Sequence, residues 1–441
     1  MIEPAASPVR HSPVQADDID QSKVDGALRN IQADSITGQS ALANALSNPD
    51  LNQAERNEIL QTLARGDENH LLAFYANDAS RTRDDQYASL GEDQRIIGEA
   101  LQQAYEDGAI TADDLLRISD VNQSGNGGQR FLTTLQNGGG APGGTVEALS
   151  DALWQRNGND GLDRAGAAIG YTSDPGLQSR NLNTAEKRLE AFEALVQLNQ
   201  DDPYSGMYAG VSGTIWQNTA LASAGRLFIS HSSELIDHYT GAGGDTAQTE
   251  TLANFISQTV FNPDARGIVL NRSQDLVPAV QSALGTTAGQ LLDGAGAAEP
   301  GSLEQERLIA QFGRLTASIS GGAAVALTEY TDQINANQES REQFAGMVST
   351  LVGETPIGKV PGSGDAVTEL AGLVYDAINE NPERPDSALA GVLYDSYAGQ
   401  VEALSTELDQ TGLRSAFDSA YSAELLNLQQ NLNVNLGGHA E

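Results

Sequence analysis

The sequence predicts an all-α protein built as multi-helix bundles in two or three consecutive helical domains. Three observations carry this. Aromatic residues make up only 5% of the chain, while Ala, Leu, Gln, Asp and Glu abound; unbranched side chains lose little rotamer freedom in a helix, whereas strands favour β-branched and aromatic residues. Capping-box patterns recur along the chain, each a polar side chain positioned to accept from the first turn of a helix. Apolar residues follow them at helical spacing, as in Ile59, Leu60 and Leu63 or Ile96, Ile97, Ala100 and Leu101.

The elements follow in order. Residues 1–20 begin MIEPAASPVRHSPVQADD, a Pro-, Ala- and Ser-rich stretch with no apolar core. It predicts a flexible leader and not a Sec signal peptide. An N-terminal helical domain spans 21–200. Asn52-Gln-Ala-Glu55 is its clearest helix start, and the same pattern puts starts at Ser89, Thr111 and Asn183. Gly66, Gly108 and Gly138 close helices there, as Gly241 does further on.

The run Asp201–Gly213, with Asp202-Pro203 and three glycines, predicts a domain boundary. A middle helical segment covers 213–296. Leu227–Ser230 and Gly267–Leu270 are strand-like, but the first lies inside a helical pattern with Leu221, Leu235 and Ile236. A glycine-rich break is expected from Gly285 to Gly301. The C-terminal bundle covers 302–433, starting at the capping pattern Ser302-Leu-Glu-Gln305. It opens with one long helix over 303–337, whose centre reads LTASISGGAAVAL. Helices at 339–352 and 366–379 follow, then one or two over 385–433. Small residues such as Gly321 and Gly322 let helix backbones approach closely, and Pro356 and Pro361 fall in a connection.

Charge narrows the partners. Sixty Asp and Glu against 24 Lys and Arg give a formal charge of −36. A polyanionic duplex is bound by neutralising phosphates with Lys and Arg, so nucleic acid is not an expected partner, nor is an anionic membrane surface. The chain has no cysteine, which excludes disulfides, thiolate metal sites and cysteine nucleophiles.

Candidate chemistry is sparse. ISDVNQSGNGGQRFL (118–132) places Asp120, Asn122, Ser124 and Gly125 at positions 1, 3, 5 and 6 of a calcium loop, but Phe131 stands where the bidentate glutamate belongs. The expected reading is a polar helix connection, with calcium the one cofactor it could take. Phe131 and Leu132 then begin the apolar face of the next helix. SHSSELIDHY places His231 and His238 seven apart with Glu234 between; that is roughly 10.5 Å along a straight helix, too far for shared ligation. A catalytic role would need a nucleophile beside one of them, for example Ser232 or Ser320. Paired carboxylates abound without singling out a pair. Residues 309–378 could serve as a buried hairpin that opens into a bilayer, although their apolar segments are short for roughly 30 Å of hydrocarbon.

TPIGKVPGSGDAVTELAGLVYDAI (355–378) resembles the hinge beside apolar helices in the helical pretoxin region of bacterial polymorphic toxins and specialised-secretion effectors. No recognisable toxin tip follows it. The resemblance implies residence in the bacterial cytoplasm before export without a Sec signal peptide. It also implies a protein partner, whether secretion adaptor, chaperone or immunity protein. The leading expectation is an exported effector or toxin-associated protein acting by protein–protein contact. The alternatives are a membrane-active effector using 309–378 and a carboxylate-based hydrolase.

Overall fold

The computed structural model describes residues 19–33, 41–66, 88–120, 131–132, 134–136, 138, 143–156, 161–200, 212–241, 246–262, 276–353, 363–380, 385–408, 410, 412–432 and 434. The fold is all-α, and no strand occurs among the described residues. Two compact units form: Met1–Ala194 with Asp201–Trp216, and Leu195–Gln200 with Gln217–Glu441.

In the first unit, local signals set the helix starts. Helix Gln53–Arg65 opens on the expected capping box: Glu55 N–H donates to Asn52 Oδ1 (2.9 Å) and Asn52 N–H to Glu55 Oε2 (2.8 Å). Helix Ala112–Asp120 repeats it, Thr111 N–H donating to Asp114 Oδ2 (3.0 Å) and Asp114 N–H to Thr111 Oγ1 (3.3 Å). Two expected starts shift. Helix Ala88–Glu106 already includes Ser89, and Glu92 pairs with Arg95 one turn on. Helix Ala185–Gln200 is capped by Thr184, not Asn183: Lys187 N–H donates to Thr184 Oγ1 at 3.3 Å. Gly108 ends its helix at φ +75°, a conformation that favours a residue without Cβ.

The helices of this unit pack in pairs. Gln21–Ala33 lies on Gln53–Arg65, Ala41–Ser47 on Ala88–Glu106, and Thr145–Gln155 on Gly161–Tyr171. In the last pair, Tyr171 donates to Asp151 at 2.7 Å and Arg164 stacks over Trp154 at 4.3 Å.

The second unit is organised around helix Leu303–Glu329. Every residue from Leu315 to Leu327 is buried, as befits a helix apolar on all sides. Its hydroxyls are satisfied internally: Thr316 donates to Phe312 O (3.0 Å) and Ser320 to Thr316 O (2.9 Å). Helices Thr246–Ile256, Leu276–Ala297, Pro385–Glu407 and Leu413–Leu432 surround it. A π-helical turn, Ser257–Phe261, extends the first of these. The expected break from Gly285 is helical through Ala297, so the chain turns only at 298–302. There Ser302 caps the central helix and Gly301 takes φ +71°. The pattern predicted over 303–337 stops at Glu329, followed by the short helix Thr331–Ile334. Helices Gln338–Gly353 and Ser363–Glu380 pack on each other. Gly267–Leu270 lies outside the described residues.

Candidate functional site

The residues singled out by sequence fall in separate places. Asp120 ends helix Ala112–Asp120, and its carboxylate accepts from Arg156, Nη1 at 2.9 Å and Nη2 at 2.5 Å. Arg156 Nε lies 3.3 Å from Asp163. Burial pushes the Asp120 carboxyl above its usual pKa, and Arg156 acts against that. A guanidinium thus neutralises the first ligand position of the supposed calcium loop. Asn122 and Ser124 lie outside the described residues, while Phe131 and Leu132 are fully buried, as expected of an apolar face. Adding millimolar calcium is therefore expected to leave the melting temperature unchanged, a rise of several degrees being the contrary result; scanning calorimetry with and without chelator decides it.

His231 sits at a kink, with φ −137° and ψ 27° inside helix Ser212–Thr240. Just before it, Ser230 Oγ donates back to Arg226 O at 2.9 Å, a bond of the kind that accompanies helix bends. His231, Glu234 and His238 are half-buried. The His238 ring meets Tyr239 edge-on at 5.2 Å. Asp237 accepts from Gln311 at 2.7 Å, tying this helix to the central one. Ser320 is buried and accepts from Tyr421 Oη at 2.9 Å, so its oxygen is committed to packing. Among the described residues no group of three or more His, Asp or Glu side chains is placed to hold a metal ion.

Gly321 and Gly322 occupy seams of the second unit. A Cβ on Gly322 would stand 2.7 Å from Ala253 O, and one on Gly321 2.8 Å from a Leu428 methyl. Pro356 and Pro361 lie outside the described residues. No described helix is long and apolar enough to cross a membrane.

A concave feature with ligand-sized dimensions lies in the first unit and is not marked by any motif of the sequence. It is an open groove of about 920 Å³ between helices Gln21–Ala33 and Ala41–Ser47, within the size range of small-molecule sites. The inner faces of both helices are used for the core: Val24 and Ile31 on one, Leu42 and Leu46 on the other, all at most 3% exposed. The remaining faces form the walls. Lys23, Gly26, Ala27, Asn30 and Ala33 share one side of the first helix; Ala41, Asn44 and Ala45 line the second, continued by Asn48. These are the i, i+3, i+4, i+7 positions of one helix face.

The groove is held by its floor and lip. Glu55, 1% exposed, accepts from Asp20 N–H at 3.1 Å and lies 3.9 Å from Lys23 Nζ. Lys23 Nζ also donates to Asp50 O at 3.0 Å. Lys23 thus links the start of the first helix to the turn that follows the second, while its side chain stays 45% exposed. A Cβ on Gly26 would meet nothing within 4 Å, so that wall is open to an approaching backbone.

No protein-family model, curated protein or solved structure matches the chain.

Proposed function

We propose that the chain acts by non-covalent contact with another protein, as an exported helical effector or a companion of one, and that this contact is made in the groove between Gln21–Ala33 and Ala41–Ser47. The observation that carries the reading is the groove's lining: alanine and glycine walls that let another chain come close, set with exposed asparagine amides that can hydrogen-bond it. The walls rest on a core whose helices are tied by Glu55 and Lys23, so the site is largely pre-formed, which lowers the ordering cost of binding. The export component rests on the resemblance of residues 355–378 to a pretoxin hinge.

A photo-crosslinking side chain at Ala45, with the same group at exposed Glu342 as the control, tests the contact in extract of the producing cell. A discrete adduct is expected from position 45 alone, and Gly26→Arg is expected to abolish it by filling the groove. Equal labelling at both positions, or an adduct indifferent to Gly26→Arg, would overturn the reading. Release of a reporter fused to the chain into the medium, dependent on a secretion machine, checks export separately.

A further inference from the structure

We propose that the π-helical turn Ser257–Phe261 binds ordered water inside the core of the second unit, through the side chains of Ser257, Gln258 and Thr259. This site is separate from the groove and from the protein contact proposed there. All five residues of the turn are buried; Ser257 is fully enclosed, Thr259 is 2% exposed and Gln258 4%. Ser257 Oγ, Gln258 Oε1 and Thr259 Oγ1 are sealed from bulk solvent and have no hydrogen-bond partner among the described residues. Other buried hydroxyls of the unit bond to the carbonyl four residues earlier, as Thr240 does to Ile236 O at 2.6 Å and Ser320 to Thr316 O at 2.9 Å. Ser257 and Thr259 make no such bond.

The turn is two-sided. Closed by i→i+5 bonds, its five residues go round little more than once. Three consecutive polar side chains therefore share one side, and Val260 and Phe261 the other. Phe261 uses its side to meet Phe344 on helix Gln338–Gly353, with ring centres 5.9 Å apart. A fourth polar atom without a protein partner, Gln281 Nε2, belongs to helix Leu276–Ala297, which touches the turn. Leaving a buried donor or acceptor unmet costs more than an ordinary hydrogen bond contributes. Four such atoms left dry would offset much of the net stability of a domain. Buried polar groups that lack a protein partner are as a rule met by water.

The chemistry of the set selects water over an ion. Residues 251–262 and 276–292 contain no charged side chain. Gln258 offers an acceptor, Gln281 a donor, and the two hydroxyls either. A cation suits the Gln258 oxygen but not the Gln281 amide hydrogens, and an anion the reverse. Water donates and accepts at once, and so meets every member of the set.

Thr259→Val tests this, because it keeps the shape of the side chain and removes only the bonding of the hydroxyl. With water on the hydroxyl, the melting temperature of the second unit is expected to fall by about 3 °C. A dry hydroxyl would give a rise instead, since a methyl replaces an unmet polar atom. Oxygen-17 relaxation dispersion of the full chain reports its long-lived internal waters. The Ser257→Ala/Gln258→Leu/Thr259→Val variant, shown to be folded by circular dichroism, is expected to lose part of that signal. A crystal structure of the parent is expected to place water oxygens roughly 2.8 Å from Gln258 Oε1 and Thr259 Oγ1. A melting temperature that rises or holds in Thr259→Val, or a dispersion signal unchanged in the folded triple variant, would overturn the proposal. An ion, or protein groups alone, at those two atoms in the crystal would overturn it as well.

Discussion

Gly322→Val is expected to destabilise the second unit by about 3 kcal/mol or more, at the upper end of what overpacking a core costs, and to lower its melting temperature by roughly 10 °C. The magnitude follows from what the new side chain meets. A Cβ at 322 stands 2.7 Å from Ala253 O and 3.0 Å from Ile256 Cγ2. The nearer contact is backbone, so helix Thr246–Ile256 must shift as a body. At Gly321 the obstacle is the tip of Leu428, 2.8 Å away, and a leucine can change rotamer; Gly321→Ala should cost under half as much. Gly346 is the control. It lies inside helix Gln338–Gly353, and a Cβ there would meet nothing within 4 Å, so Gly346→Ala should stabilise by about 0.5–1 kcal/mol. Thermal melts of the three variants check the ordering. A Gly322 variant as stable as the Gly346 one would show that the seam is not tight.

Asp114→Ala is expected to destabilise the first unit by about 2–3 kcal/mol, less than for a fully buried pair because the Arg65 side chain is 41% exposed. Asp114 is 3% exposed and accepts from Arg65 Nε (3.1 Å) and Nη2 (2.9 Å) and from Thr111 N–H (3.0 Å) and Oγ1 (2.9 Å). Removing it leaves a helix-start amide without its acceptor and a half-exposed guanidinium with only Ala109 O. Burial alone would raise the Asp114 pKa, but the hydrogen bonds from Arg65 and Thr111 outweigh it and hold the carboxyl below its ordinary 3.8. The sign of the pH effect follows. A depressed folded-state pKa contributes stability that is present above about pH 3.8 and lost as pH falls through the folded value. The melting-temperature gap between parent and Asp114→Asn should therefore be constant from about pH 7 to 5 and close toward pH 3. A gap that widens on acidification would contradict the assignment.

The helix starts at Asn52 with Glu55 and at Thr111 with Asp114 were legible in the sequence because both partners of the cap are neighbours; at Asn183 the pattern fell one residue short of the cap at Thr184. Helix starts were not legible where the cap comes from afar. Helix Thr145–Gln155 has no side-chain cap from Gly144; Thr145 N–H donates instead to Gln102 Oε1, 2.9 Å away and 43 residues earlier. The break expected from Gly285 failed for a related reason. Glycines there sit in a helix held by tertiary packing, which overrides their weak propensity. The groove shows the same limit. Small residues at helical spacing mark both the closed seam at Gly321 and Gly322 and the open face at Gly26, and periodicity cannot tell a covered face from an uncovered one.

The central helix has a further consequence for the order in which the protein is made. Helix Leu303–Glu329 receives part of its cover from Leu413–Leu432: Gly313 abuts Phe417 O, Ser320 bonds to Tyr421 and Gly321 abuts Leu428. Translation delivers those residues long after the helix itself has left the ribosome. Until they arrive, a stripe of glycine, alanine and serine stands bare along the middle of the unit. Chains truncated before Leu413 are thus expected to leave that stripe uncovered and to be cleaved by protease faster than the full chain.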